Sequence, residues 1–190
     1  MTKIPFLFVY LRLLIAFFIG GLLFTEVSNL NVLIVILAFV GLLSDVFDGI
    51  IARKLNVATE KLRIWDSNVD MVFWASIIFS TFYLNLSFFS KNSFFILLVI
   101  GLEIITYIVC FLKFRKTVAT HSILAKTWTI TLFIFLIDLL LNTDSSYSFY
   151  ICIILGIISR FEILVMILAL KKWTVDVPSI FSVKKLNSNS

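Results

Sequence analysis

Residues 31–53 read NVLIVILAFVGLLSDVFDGIIAR. The stretch begins as an apolar run and then carries two aspartates, Asp45 and Asp48. At 1.5 Å per residue, a helix of about 20 apolar residues crosses the roughly 30 Å hydrocarbon core of a bilayer. The stretch therefore predicts a membrane-spanning helix with carboxylates near one end.

Apolar runs of similar length recur along the rest of the chain. Of its 190 residues, 61% are hydrophobic and 14% are charged, whereas soluble domains are about half apolar and a quarter charged. The runs are too long and too uniformly apolar for the alternating strands of a membrane barrel. We therefore predict an all-α integral membrane protein with six transmembrane helices, at residues 6–24, 31–49, 67–90, 94–112, 123–141 and 148–170.

The segments between these runs alternate in charge. Lysines and arginines concentrate at both ends of the chain and at 50–66 and 113–122, whereas the intervening segments carry only Lys91. Because basic loops stay in the cytoplasm, we expect both termini and the basic loops to face it, with the protein in the cell membrane (the inner membrane in a bacterium). Nucleic acid is excluded as a partner because the chain offers almost no basic face in water.

The acidic residues of the second and third predicted helices form two pairs. Asp45 and Asp48 are spaced i, i+3 and Asp66 and Asp70 are spaced i, i+4, so each pair lies on one helix face. Both pairs belong to the cytoplasmic end of one helical hairpin, where four carboxylates can converge. Converging carboxylates repel one another unless a cation neutralises them. Oxygen ligands without His or Cys suit Mg²⁺ or Mn²⁺, and a pair of such ions clamps phosphate oxygens.

The neighbouring residues favour a phosphate ligand, although structural alternatives stay open. Gly49 leaves room for close approach, and Arg53 has a planar donor fork that suits a diphosphate. The structural alternatives are a helix cap at Asp45, a helix end at Asp48-Gly49, and ion pairs of Asp66 or Asp70 with Arg63 or Arg12. Cys110 and Cys152 lie in apolar segments without a CxxC pattern, and the single His121 excludes a multi-histidine metal site.

The segment Asp45-Val-Phe-Asp48-Gly49-Ile-Ile-Ala52-Arg53, followed by Asp66 and Asp70, resembles the signature of the CDP-alcohol phosphotransferase family. That signature reads D-x2-D-G-x2-A-R-x8-G-x3-D-x3-D, and its second glycine falls on Leu62 in this chain. The similarity extends to Pro5 and Arg12 near the N-terminus and to the stretch from His121 that opens the fifth predicted helix. It therefore covers nearly the whole chain, for which we expect a single domain over residues 1–190 with a flexible tail at 183–190.

The resemblance implies a role for each matching position. Two divalent ions would be held by Asp45, Asp48, Asp66 and Asp70. The CDP moiety would be bound by Asp48, Gly49, Ala52, Arg53 and Thr59. Asp70 would also be the general base that takes the proton of the acceptor hydroxyl. The reaction so implied moves a phosphatidyl-type group from a CDP-linked lipid such as CDP-diacylglycerol to a small alcohol and releases CMP.

The acceptor alcohol is indicated only by a basic cluster near the same membrane face. Its members are Lys113, Arg115, Lys116, His121 and Lys126, which would suit a phosphorylated alcohol such as glycerol 3-phosphate. Topology alone also explains basic residues at this position. Arg160 and Glu162 lie deep in the sixth run, where either an ion pair or the lining of an acceptor pocket would justify their insertion. We take Arg115, Lys116, Lys126 and Arg160 as the candidate acceptor-binding residues.

Two other classes of membrane protein share some of these features. An Mg²⁺-dependent prenyltransferase also binds a diphosphate through aspartates, but its two acidic motifs usually stand on distant helices. A divalent-cation transporter would place acids across the membrane thickness, whereas the four aspartates here fall within residues 45–70. The family resemblance also suggests a homodimer, which no residue pattern in the chain requires.

Overall fold

The computed structural model describes residues 3–54, 60–118, 122–142, 145–174 and 177–183, without the side chains at 3–5, 48–49, 52–54, 60–64 and 67. None of these residues lies in a β-strand, and the predicted all-α class is confirmed. The helices within these ranges are α1 (Lys3–Leu22), α2 (Leu30–Lys54), α3 (Glu60–Leu84), α4 (Leu86–Lys91), α5 (Ser93–Phe114), α6 (Ile123–Leu141) and α7 (Ser146–Ala169). A single helical turn follows at 180–183.

Four helical segments are long and apolar enough to cross a membrane. They are Leu30–Phe47 within α2 and the whole of α5, α6 and α7. The apolar parts of α1 and α3, Phe6–Leu22 and Asn68–Leu84, are shorter. The protein is therefore an integral membrane protein, while the count of six spans stays a prediction.

Helices α2 and α3 extend beyond the predicted spans in the region of the aspartates. α2 continues past residue 49 to Lys54, and α3 begins at Glu60. Asp45, Asp66 and Asp70 therefore lie inside helices. Because Asp66 and Asp70 are four residues apart on α3, their side chains lie on the same helix face. The suggestion that Asp48-Gly49 marks a helix C-terminus is wrong, because α2 runs on beyond both residues.

The third predicted span, 67–90, is divided in the structure. α3 ends at Leu84 and α4 begins at Leu86, with Asn85 between them. The Asn85 side chain donates a hydrogen bond to the carbonyl of Thr81 at 3.1 Å. Asparagine is also among the weaker helix formers, which agrees with the end of α3 at this point.

The surfaces of the long helices are apolar. Phe17 is 68% exposed, Leu97 65%, Ile130 61% and Phe161 62%. In water such surfaces would form large exposed apolar patches, whereas in a bilayer the same side chains contact lipid. Lipid therefore replaces water around most of the described helices, as the composition predicts.

Contacts divide the chain into two compact units. The first contains Met1–Leu86 and Leu139–Asn142, and the second contains Ser87–Asp138 and Thr143–Ser190. The expectation of one domain over 1–190 stays a prediction, and the predicted tail lies outside the described residues from position 184 onward.

In the first unit, α1 packs along both α2 and α3, while α2 and α3 meet each other over only a short stretch. Val9 of α1 and Val69 of α3 are both buried, and Phe6 and Leu13 pack against them. This apolar seam sets the register of α1 against α3. Because α1 contacts both partner helices, a side chain on its inner face can reach residues of α2 and α3 together.

In the second unit, α5 packs against α7. Cys110 of α5 is buried with Ile163 and Ile167 of α7. The segment at 177–183 lies against the end of α7, with Val177 and Val183 buried beside Met166 and Leu170. Cys110 and Cys152 are both free thiols, as expected for small buried residues of apolar helices.

Candidate metal centre

Three of the four predicted aspartates converge in the first unit. Asp45 comes from α2, and Asp66 and Asp70 come from successive turns of α3. One carboxylate oxygen from each residue lies within 4.8 Å of the other two. All three side chains are half-buried, so the cluster is enclosed on one side by helices and stays accessible to a small ion or substrate.

A buried arginine from α1 joins this cluster. Arg12 is completely buried, and its Nη1 lies 3.1 Å from Oδ1 of Asp45. The same nitrogen lies 3.1 Å from Oδ1 of Asp66 and also pairs with Oδ1 of Asp70. The alternative that Asp66 or Asp70 pairs with Arg12 therefore describes a contact that is present. Arg12 thus connects α1 with both α2 and α3 through carboxylates.

The donor set of the cluster fits a divalent cation. Among the side chains that the structure describes, one guanidinium faces the three carboxylates, so an excess of negative charge remains within this set. Like charges at this separation favour an additional cation. The ligands in this set are all carboxylate oxygens, which are the ligands that Mg²⁺ and Mn²⁺ prefer. The residues present therefore fit the hard divalent ion that the motif implies.

A close contact between α2 and α3 lies one turn from the carboxylates. A methyl group at Gly41 of α2 would approach the ring of Phe73 of α3 to 2.3 Å, so only a glycine fits without movement of the ring. The Ser44 hydroxyl donates a 2.8 Å hydrogen bond to the carbonyl of Gly41. Gly41 was not identified from the sequence as a contact between the two helices. The signal was a glycine in an apolar helix four residues before Asp45, on the same helix face.

The residues assigned to CDP are positioned only in part. Asp48, Gly49, Ala52 and Arg53 lie on the last turns of α2, and their side chains are outside the described part of the structure. Thr59 lies wholly outside the described residues. Leu62, which stands where the family signature has a glycine, lies in α3 without a described side chain. Their proposed contacts therefore stay predictions.

The candidate acceptor residues all belong to the second unit, and three of them lie at helix ends. Arg115 is exposed at the C-terminus of α5 with a left-handed backbone, at φ 54°. The Lys116 ammonium lies 4.3 Å from the centre of the Trp173 ring. Lys126 is exposed on the first turn of α6, and His121 of the same basic cluster lies outside the described residues.

Arg160 occupies a different environment inside α7. Its guanidinium pairs with Glu103 of α5 and lies 4.5 Å from the centre of the Trp128 ring of α6. Gly156, one turn earlier, accommodates the indole, because a methyl group there would come within 2.8 Å of Nε1. Glu162 instead accepts a long hydrogen bond from the Ile180 amide at 3.4 Å. The ion pair of Arg160 is therefore formed with Glu103, for which no role was predicted from the sequence.

Lys113, another member of the basic cluster, makes structural contacts. Its ammonium donates hydrogen bonds to the carbonyls of Ile167 at 3.1 Å and Leu168 at 2.6 Å. These carbonyls belong to the last turn of α7, where a helix lacks internal donors and a cation is favoured. Lys113 therefore caps α7 from α5.

The comparison with known protein families agrees with the motif. The family model described as CDP-alcohol phosphatidyltransferase matches residues 2–174. No curated protein and no solved structure matches the chain. The matched range contains every described residue of the carboxylate cluster together with Arg12 and the basic cluster. The chain belongs to the CDP-alcohol phosphatidyltransferase family, whose members are membrane transferases of substituted phosphate groups in phospholipid synthesis.

Proposed function

We propose that this enzyme transfers a phosphatidyl group from CDP-diacylglycerol to a small alcohol, with glycerol 3-phosphate as the first candidate, and releases CMP. The observation that carries the proposal is the convergence of Asp45, Asp66 and Asp70 within 4.8 Å. These are three of the acidic positions of the family motif, and they come from two different helices. A cluster of acidic residues inside apolar helices costs free energy of membrane insertion, so such clusters usually have a function.

The residues would divide the reaction between them. Asp45, Asp48, Asp66 and Asp70 would hold Mg²⁺ or Mn²⁺, two ions in the arrangement that the family implies. When bound, such ions neutralise phosphate charge and stabilise the leaving group. Gly49, Ala52, Arg53 and Thr59 would bind the CDP moiety, and the Arg53 fork would hold the diphosphate.

Asp70 would handle the proton of the acceptor. Its carboxylate would take the proton from the alcohol hydroxyl while the hydroxyl oxygen forms a bond to the phosphorus that carries the lipid. The bond between that phosphorus and the oxygen of CMP breaks, and CMP leaves with the electron pair. A base contributes about 10²–10⁴-fold to such a step. Positioning and charge neutralisation supply most of the remaining acceleration in transfers of phosphate groups.

The acceptor would bind through basic side chains of the second unit. Lys126 supports this proposal best, because its exposed ammonium stands at the start of α6, where the helix dipole also favours an anion. Arg115 and Lys116 are exposed at the end of α5. Arg160 would line the deeper part of the acceptor site beside Glu103. A phosphorylated alcohol is favoured over serine because several cations are available.

The proposed topology has six spans with both termini in the cytoplasm. The four long apolar helices support it, together with the shorter apolar segments Phe6–Leu22 and Asn68–Leu84. The basic residues after α2, α5 and α7 support a cytoplasmic site. A homodimer, which the family resemblance suggests, would be tested by the mass of the detergent-purified protein with bound detergent subtracted.

The function is tested by incubation of the purified protein with CDP-diacylglycerol, Mn²⁺ or Mg²⁺ and a panel of alcohols. CMP release and the masses of the product lipids are measured. We expect CMP to form only when metal and acceptor are present, with phosphatidylglycerophosphate as the leading product. Consumption of prenyl diphosphate without CMP would indicate a prenyltransferase. Metal uptake into sealed vesicles without any lipid product would indicate a transporter.

A further inference from the structure

Arg12 occupies an unusual position for a cation in a candidate metal centre. Its side chain is completely buried, and one of its nitrogens contacts an oxygen of Asp45, of Asp66 and of Asp70. These are the same three residues whose carboxylates offer one oxygen each within 4.8 Å of one another, and which would hold a divalent ion. The Arg12 guanidinium and a bound divalent ion would therefore both be attracted by the negative charge of these carboxylates.

The energetic consequence depends on whether an ion is bound. Without a metal, the three carboxylates repel one another, and Arg12 offsets much of that repulsion. With a metal bound, the ion neutralises the carboxylates, so the attraction of Arg12 to them is weaker. Arg12 also approaches the ion as a like charge. Its contribution to stability must then be larger in the metal-free protein than in the loaded one.

We infer that Arg12 is a positioning residue that acts as a built-in counter-ion: it holds the aspartates of α2 and α3 together from α1 before metal binds, and it lowers the affinity for the metal. The inference rests on the proposed metal-dependent function. A counter-ion of this kind lets the acidic helices insert and pack without metal, since isolated acids in a span are costly. It also keeps the ion exchangeable.

The test compares wild type with Arg12→Gln and Arg12→Lys in detergent micelles. Mn²⁺ binding is titrated by electron paramagnetic resonance, and the melting temperature is measured with and without saturating Mn²⁺. For Arg12→Gln we expect the Kd for Mn²⁺ to fall by about tenfold, which corresponds to about 1.4 kcal/mol. The melting temperature should fall more without Mn²⁺ than with it. Arg12→Lys keeps the charge and should stay closer to wild type in both measurements.

Arg160→Gln is the matched control, because Arg160 is another arginine of an apolar helix that pairs with an acid, Glu103. The decrease in melting temperature caused by Arg160→Gln should be the same with and without Mn²⁺. The inference is overturned when Arg12→Gln loses equal stability under both conditions, or when its Mn²⁺ affinity is unchanged or weaker. Where Arg12→Gln does not fold, the same comparison is made for Arg12→Lys, with a smaller shift expected in the same direction.

The two proposals fail in different ways. A wild-type protein that binds no Mn²⁺ and releases no CMP contradicts the proposed function. A wild-type protein that binds Mn²⁺ and loses it on Asp45→Asn, but shows no special response to Arg12→Gln, contradicts only the role of Arg12.

Discussion

Gly41 of α2 lies directly against the aromatic ring of Phe73 of α3. A methyl group at position 41 would come within 2.3 Å of two ring carbons, and Phe73 is almost fully buried. Gly41 precedes Asp45 by one helical turn, and Phe73 follows Asp70 by about one turn. The contact therefore sets the separation of the two helices at the level of the carboxylates, where they otherwise meet over only a short stretch.

Gly41→Ala should disturb the metal centre without changing any of its ligands. Overpacking of a tight contact costs typically about 1–3 kcal/mol, and the helices would move apart to relieve it. We expect a lower melting temperature and weaker Mn²⁺ binding, measured as in the wild type. Phe73→Leu in the same chain should recover part of both losses, because it removes ring atoms from the contact.

Gly20→Ala is the control for this substitution, since a methyl group at Gly20 of α1 meets no atom within 4 Å. It should leave Mn²⁺ binding unchanged and should slightly stabilise the helix, because alanine is the better helix former by about 1 kcal/mol. Wild-type metal affinity in Gly41→Ala would show that the contact does not set the geometry of the carboxylates.

Substitution of the aspartates should separate metal binding from proton transfer. Asp45→Asn and Asp66→Asn remove only a metal ligand in the proposed scheme, so Mn²⁺ affinity and CMP release should fall together. Asp70→Asn also removes the base, which is worth about 10²–10⁴-fold. It should therefore retain a larger share of Mn²⁺ binding than of turnover. Turnover at wild-type rates in all of these variants would contradict the assignment of the site.

The features of this centre that depend on residues close together in the sequence could be predicted, whereas those that depend on the packing of distant helices could not. The pairing of Asp66 with Asp70 follows from helical periodicity over one turn, which is visible in any sequence. The placement of Arg12 among the carboxylates depends on the packing of α1 against two other helices, which periodicity does not contain. From the sequence, Arg12 is one of two basic partners proposed for Asp66 or Asp70, the other being Arg63. The break at Asn85 falls inside an apolar run, and hydropathy does not register where a helix within such a run ends.

Lys113 and Lys126 should respond differently to neutralisation, although both belong to the basic cluster. Lys113→Gln removes the hydrogen bonds to Ile167 and Leu168, which should lower stability by about 0.3–1 kcal/mol and leave the KM for glycerol 3-phosphate unchanged. Lys126→Gln should raise that KM and leave the melting temperature unchanged. Steady-state kinetics and thermal unfolding of the two variants make the comparison, and a reversed pattern would exchange the roles of the two lysines.

Arg160 can be tested for acceptor binding once its ion pair is taken into account. Glu103→Gln leaves the Arg160 charge without its carboxylate partner inside the helices, so it should destabilise the protein more than the double variant Glu103→Gln/Arg160→Gln does. The double variant should nevertheless show a raised KM for the acceptor, since it lacks the cation. A double variant with wild-type KM would mean that Arg160 serves only the ion pair and its contact with Trp128.

The predicted topology can be tested with single cysteines, because the native Cys110 and Cys152 are buried and should react little. Ser28 and Thr117 are exposed, and they stand in segments of opposite charge character. The segment of Ser28 carries Glu26 and no basic residue, whereas Thr117 follows Lys113, Arg115 and Lys116. The positive-inside rule therefore predicts that a membrane-impermeant maleimide labels Ser28→Cys in intact cells and labels Thr117→Cys only after permeabilisation. Labelling of both variants in intact cells would contradict the predicted topology. The opposite pattern would place the aspartate cluster on the outer face and would contradict the proposed cytoplasmic site.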